Sequence, residues 1–184
     1  MTPQKIPATV ITGFLGAGKT TLVRHMLENA DGRRIALIIN EFGDVGVDGD
    51  ILAGNNIDII QLSSGCLCCT LKGSLIASVQ ELADKNQLDH IVIEATGVAE
   101  PEVMLETFCE PGFLERFDTG PVVTVVDTPK YLKIREMLGP FYESQVEKCD
   151  LIILNKLDLA KADLVEEVRE EVSDLNDAAL IRYA

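Results

Sequence analysis

The sequence predicts an α/β protein: a doubly wound, mostly parallel sheet with helices on both faces. Two observations carry this. Short runs of strand length are continuously apolar rather than alternating, as strands buried on both faces are. Between them lie segments whose apolar residues recur every three to four positions, as a helix face does. With 184 residues at 47% hydrophobic composition, the chain can bury one sizeable core, and a single domain over 1–184 is expected.

The first strand is "ATVI" at 8–11, and a glycine-rich segment, "GFLGAGKT", joins it to an amphipathic helix that contains His25. "IALII" at 35–39 and "IDII" at 57–60 are the next strands. Leu71, Leu75, Val79 and Leu82 then mark a helix face. "IVI" at 91–93, with His90 at its entrance, "VVTVV" at 122–126 and "LIIL" at 151–154 are further strands. Leu164, Val168, Val172 and Leu175 line one side of a closing helix whose opposite side carries Glu166, Glu167, Glu170 and Glu171, a solvated face. Both histidines read as surface or satisfied core residues. Because parallel strands send their carboxyl ends to one edge, where open α/β sheets bind ligands, the loops after the strands should hold the chemistry.

A formal net charge of -14 repels phosphate backbones and anionic lipid, which argues against nucleic acid and membrane partners. No apolar run reaches the roughly 18 residues of a membrane span, and the start lacks the pattern of a signal peptide, so a cytoplasmic protein is expected. Cytosolic thiols stay reduced, which disfavours a disulfide framework among the five cysteines. Cys109 and Cys149 stand alone and are expected to be buried as small hydrophobes.

"GFLGAGKT", Gly13 to Thr20, fits G-x-x-x-x-G-K-[ST] between a strand and a helix, the context of a phosphate-binding P-loop. Glycines let backbone N–H groups wrap the phosphates at a helix N-terminus. Lys19 would reach the β and γ phosphates, and the Thr20 hydroxyl would bind Mg²⁺. In "IVIEATG", Glu94 is placed to hold the Mg²⁺ water shell, or else is an ion-paired strand end, and the Gly97 amide can approach the γ phosphate. "NKLD" comes directly after a buried strand: Asp158 can accept from the ring N–H and exocyclic amine of guanine, Asn155 can pin the loop, and the stem of Lys156 can cover the ring. GTP is therefore expected over ATP.

"GCLCC" puts Cys66, Cys68 and Cys69 after the third strand. Three close thiolates suit a soft ion such as Zn²⁺ or Cu(I), and a tetrahedral site needs a fourth ligand, for which Glu41, Asp44, water or a partner's group are candidates. The other reading is a packed turn with one thiol buried.

Taken together, "TGFLGAGKTTL", "NEFGDVGVD", "GCLCC", "EATGVAEP", "VVTVVD" and "NKLDL" resemble, in order and over nearly the whole chain, the nucleotide-binding domain of the CobW-like P-loop GTPases. The resemblance implies a metallochaperone or metal-insertase GTPase. It implies Cys66, Cys68 and Cys69 as the metal motif, Gly16, Ala17, Gly18, Lys19, Thr20 and Thr21 on the phosphates, Glu41 in the switch region, and Asn155 to Asp158 at the base. Lys19, Glu41 and Glu94 are the catalytic candidates of a GTPase expected to be slow without metal or client. Zinc is the expected cargo, with Co²⁺ and a cobalamin pathway as the alternative, and a client metalloprotein or cofactor-assembly protein as recipient. A non-catalytic, GTP-responsive metal sensor is the rival from another class, and a homodimer is plausible. In two respects this chain departs from the family pattern. Ile39 stands where some members carry a glutamate, and the chain stops at "ALIRYA" where members continue into a smaller C-terminal domain; only the nucleotide-binding domain is expected.

Overall fold

The computed structural model describes residues 5–39, 57–61, 79–81, 83–84, 88–95 and 111–184. Seven strands form one sheet: β1 (Ile6–Thr12), β2 (Ile35–Ile39), β3 (Ile57–Gln61), β4 (His90–Glu94), β5 (Phe117–Asp127), β6 (Leu151–Asn155) and β7 (Leu180–Tyr183), in the spatial order β3-β2-β4-β1-β5-β6-β7. Every pairing is parallel. The described helices are α1 (Lys19–Glu28), α2 (Pro111–Leu114), α3 (Tyr131–Leu138), α4 (Pro140–Glu147) and α5 (Ala162–Leu175). A further helical stretch covers 79–81 and 83–84; Leu71, Leu75 and Leu82 of the predicted helix lie outside the described residues.

The continuous apolar runs are explained by burial on both sides. On β2, Ile35, Leu37 and Ile39 join Val23, Leu27 and Val125 in one apolar layer, while Ala36 and Ile38 join Ile91, Ile93, Phe113 and Phe117 in the other. α1 covers the first layer. A third layer, under α3 to α5, collects Tyr131, Tyr142, Val146, Ile152, Leu154, Val168 and Val172. Val168 and Val172 are fully buried and Leu164 and Leu175 partly so, as the spacing in α5 required.

Strand β1 is central, and the chain winds from it first toward β3 and later toward β7. The carboxyl ends of β1, β4, β5 and β6 therefore meet around the point where the winding reverses. Register confirms the juxtaposition: Ile11 lies beside Glu94, Thr12 beside Thr124, and Asp127 beside Asn155. Among the described residues, no helix is long and apolar enough to cross a membrane.

At the opposite edge, His90 Nε2 lies 3.0 Å from Thr9 Oγ1. Burial, and then the charge of Arg33, holds this imidazole below its ordinary value of 6.5. The unfolded chain thus takes up the proton more readily, so His90 makes stability fall as pH drops through 6.5. Denaturant midpoints measured at about pH 7.5 and pH 5.5 should fall less for His90→Gln than for the wild-type chain; equal losses would assign the acid sensitivity elsewhere. His25, by contrast, is exposed on α1, and Cys149 is buried with Sγ 3.2 Å from Val146 O, as expected of a small hydrophobe.

Candidate functional site

The site begins where β1 stops. Gly13 lies against the neighbouring strand so closely that a Cβ there would sit 2.2 Å from Val125 O. This pressed entry sets the direction of the phosphate loop. Ala17 N donates to Phe14 O at 3.1 Å, closing the loop, and α1 starts at Lys19 with no side-chain cap on its first N–H groups. Uncapped donors at a helix start, with the dipole behind them, are the elements of an anion site. The Phe14 ring packs edge-on against Tyr142 of α4, with centroids 5.9 Å apart, which ties the loop to the third apolar layer.

Lys19 is 5% exposed, and its Nζ donates to Phe14 O at 3.3 Å, so the ammonium is held across the loop it belongs to. Thr20 Oγ1 donates to Glu94 Oε1 at 2.8 Å across 74 residues of sequence. Glu94 is buried at 2% exposure. A hydroxyl and a carboxylate meeting at the end of β4 form an oxygen-only pair of the kind a hard cation with a partial water shell prefers. Thr21 is exposed on the next position of α1.

The loop after β6 is fastened to this loop. Asn155 Nδ2 donates to Ala17 O at 2.8 Å, and its Oδ1 accepts from Lys156 N at 2.8 Å. Lys156 takes a left-handed backbone, φ 63°, a conformation costing a non-glycine residue about 1 kcal/mol or more. Its Nζ donates to Gly16 O at 2.5 Å and to Asp127 Oδ2 at 2.7 Å. Asp158 lies in a single 3₁₀ turn, Leu157–Leu159, and is exposed at the rim. The structure thus brings together Gly13, Gly16, Ala17, Gly18, Lys19, Thr20, Glu94, Asn155 and Lys156, with Asp158 beside them. Glu41, Asp44, Cys66, Cys68, Cys69, Gly97 and Cys109 lie outside the described residues. Among the described residues, no three His, Cys, Asp or Glu side chains gather as a metal site.

Asp127 is the site residue that the sequence motifs left without a role. It closes β5, is 1% exposed, and also lies 3.6 Å from Lys130 Nζ. A carboxylate ending an apolar strand on the ligand-binding edge is a signal in itself, yet its partner Lys156 is 29 positions away and becomes visible only through the β5–β6 register. Beneath it, the Tyr131 and Tyr142 hydroxyls are buried without hydrogen-bond partners among the described residues. Burial pushes the Tyr131 phenol up to about 12 and raises Tyr142 further, so both stay neutral.

The chain is 43% identical over 197 residues to the zinc chaperone CobW of Sinorhizobium sp, covering 92% of this chain and 56% of that protein. It is 37% identical over 182 residues to the zinc chaperone YjiA of Escherichia coli (strain K12), covering 95% of this chain and 56% of that one. The chain therefore spans about half the length of the curated relatives it matches. The crystal structure of Zn(II)-bound YjiA GTPase from E. coli superposes with a TM-score of 0.75 at 34% identity, over 97% of this chain and 57% of that one. With residues 7–182 matching the family described as the CobW/HypB/UreG nucleotide-binding domain, and with two loops of the sheet's ligand edge joined through Asn155 and Lys156, the chain belongs to that family.

Proposed function

We propose that the chain is a P-loop GTPase domain that binds and hydrolyses GTP and couples the nucleotide state to carriage of a metal ion, zinc before cobalt, for delivery to a client metalloprotein or cofactor-assembly protein. The observation that carries the reading is the fastening of the guanine-type loop to the phosphate-type loop through Asn155 and Lys156. A nucleotide seated there would touch both loops at once, with its phosphates at Gly13 to Thr21 and its base at Asp158. Relatives whose names include zinc chaperone and zinc-regulated GTPase metalloprotein activator support the cargo.

In this reading Lys19 gives up its carbonyl partner for the β and γ phosphates, and Gly97 offers its amide to the γ phosphate. Thr20 and Glu94 fit Mg²⁺, Thr20 as a direct ligand and Glu94 through water; the ion, when bound, screens charge on the phosphates. Glu41 stands in the loop that would respond to the γ phosphate. The three thiolates Cys66, Cys68 and Cys69 hold the cargo ion, and GTP orders the loop of Glu41 against them, so that hydrolysis loosens the contact and frees the metal.

The test is zinc affinity of the purified chain with a non-hydrolysable GTP analogue against GDP, for the wild-type chain and for Cys66, Cys68 and Cys69 changed together to serine. Binding about tenfold tighter with the analogue is expected, within the usual range of coupling between sites, and it should vanish in the serine variant. Equal zinc affinity in the two nucleotide states overturns the proposal. Hydrolysis that rises on adding zinc separates it from a sensor that only reports GTP.

A further inference from the structure

We propose that Asp127 is a positioning residue for guanine recognition, acting through Lys156; this rests on the reading of the site as a GTP site. Three chain segments converge on the Lys156 ammonium: the phosphate loop through Gly16 O, the end of β5 through Asp127 Oδ2, and the lysine's own loop. The carboxylate is 1% exposed, and its other oxygen, Oδ1, is buried with no hydrogen-bond partner among the described residues. Its charge is therefore matched mainly by Lys156, since Lys130 is farther, at 3.6 Å, and its side chain is 65% exposed. A buried charge with one close counter-charge fixes that partner's position strongly, because separating the two leaves both poorly compensated.

Holding the lysine also holds the turn that carries Asp158. Lys156 occupies a left-handed backbone at φ 63°, and Asp158 is two residues on, in the turn that this backbone aims. Releasing the ammonium removes the side-chain tether that holds the loop to both Gly16 and Asp127. The carboxylate of Asp158 then loses its fixed place opposite the base edge, an effect that reaches it from Asp127 through Lys156. Discrimination that depends on the exocyclic amine of guanine should suffer more than binding of phosphate.

The experiment compares GTP with ITP, which lacks that amine, by fluorescence titration on the whole chain. Asp127→Asn is expected to weaken GTP about tenfold, a coupling typical of residues in one network, and ITP by less than threefold, collapsing the preference. In a Lys156→Met background the same change should alter GTP binding by less than twofold, because the residue through which it acts is gone. Lys130→Met should leave binding within twofold. Should Asp127→Asn fail to fold, Asp127→Ser, which keeps a buried acceptor, is carried through the same cycle. Equal weakening of GTP and ITP, or a full tenfold loss in the Lys156→Met background, overturns the proposal and makes Asp127 a structural residue only. Wild-type chain that binds GTP and fails this cycle refutes the positioning role alone, whereas wild-type chain that binds no guanine nucleotide overturns the functional reading as well.

Discussion

Replacing Lys19 by alanine is expected to lower GTP turnover by about 100- to 1,000-fold, the scale seen when one preorganised donor to developing charge is removed. The chain carries a net charge of -14, so its far field opposes a triphosphate, and binding must come from local groups. Lys19 is the buried cation of the phosphate loop, 5% exposed, with its ammonium 3.3 Å from Phe14 O. Such a lysine loses little freedom on meeting a phosphate, because the loop already restrains it. The substitution should leave the sheet intact, since it takes a charge out of a buried place rather than adding one. Lys19→Arg should not restore turnover: a planar guanidinium is larger and forks where an ammonium acts as a point charge. Turnover and analogue titration, read beside thermal unfolding, check this, and near-normal hydrolysis by folded Lys19→Ala would remove the phosphate role from the loop.

How much of this could be read from the chain depended on burial. Five strands were legible because their residues face apolar layers on both sides, which leaves unbroken runs such as "IALII", and β3, at the other edge of the sheet, was legible from "IDII", of which Ile57 and Ile59 pack on one layer. β7 was not, because it is an edge strand in which Leu180, Arg182 and Tyr183 are exposed and no continuous run survives. β5 starts at Phe117, well before the run at 122–126, since "FDTGP" lacks the apolar signature although it pairs with β1. α3 and α4 were missed for a similar reason: each buries few side chains, Tyr131 in one and Tyr142, Gln145 and Val146 in the other. "GFLGAGKT" and "NKLD" were recognisable as motifs because each is a compact run of sequence, whereas the bonds that join them, from Asn155 to Ala17 and from Lys156 to Gly16, span the chain. The Thr20–Glu94 and Lys156–Asp127 pairs join distant segments, so the strand order had to bring them together.

Gly13→Ala is expected to cost the fold about 3 kcal/mol or more, the range of substitutions that force a buried clash together with a strained backbone. At φ 134° an L side chain is strained before any contact is counted. The added Cβ would then meet Val125 O at 2.2 Å and Val125 C at 3.1 Å, both backbone atoms of β5. That strand is hydrogen-bonded to β1 on one side and β6 on the other, so it cannot retreat without breaking a ladder. Gly18→Ala is the informative contrast. Its Cβ would fall 2.3 Å from Asn155 Nδ2, a side-chain atom that can move, but only by giving up its bond to Ala17 O. Gly13→Ala should therefore lower the unfolding midpoint strongly, while Gly18→Ala should lose nucleotide affinity with a smaller loss of stability. Equal destabilisation by the two, measured by denaturant unfolding without nucleotide, would mean that the contact with β5 does not set the cost. The phosphate loop would then owe its shape to its own hydrogen bonds rather than to the strand it rests on.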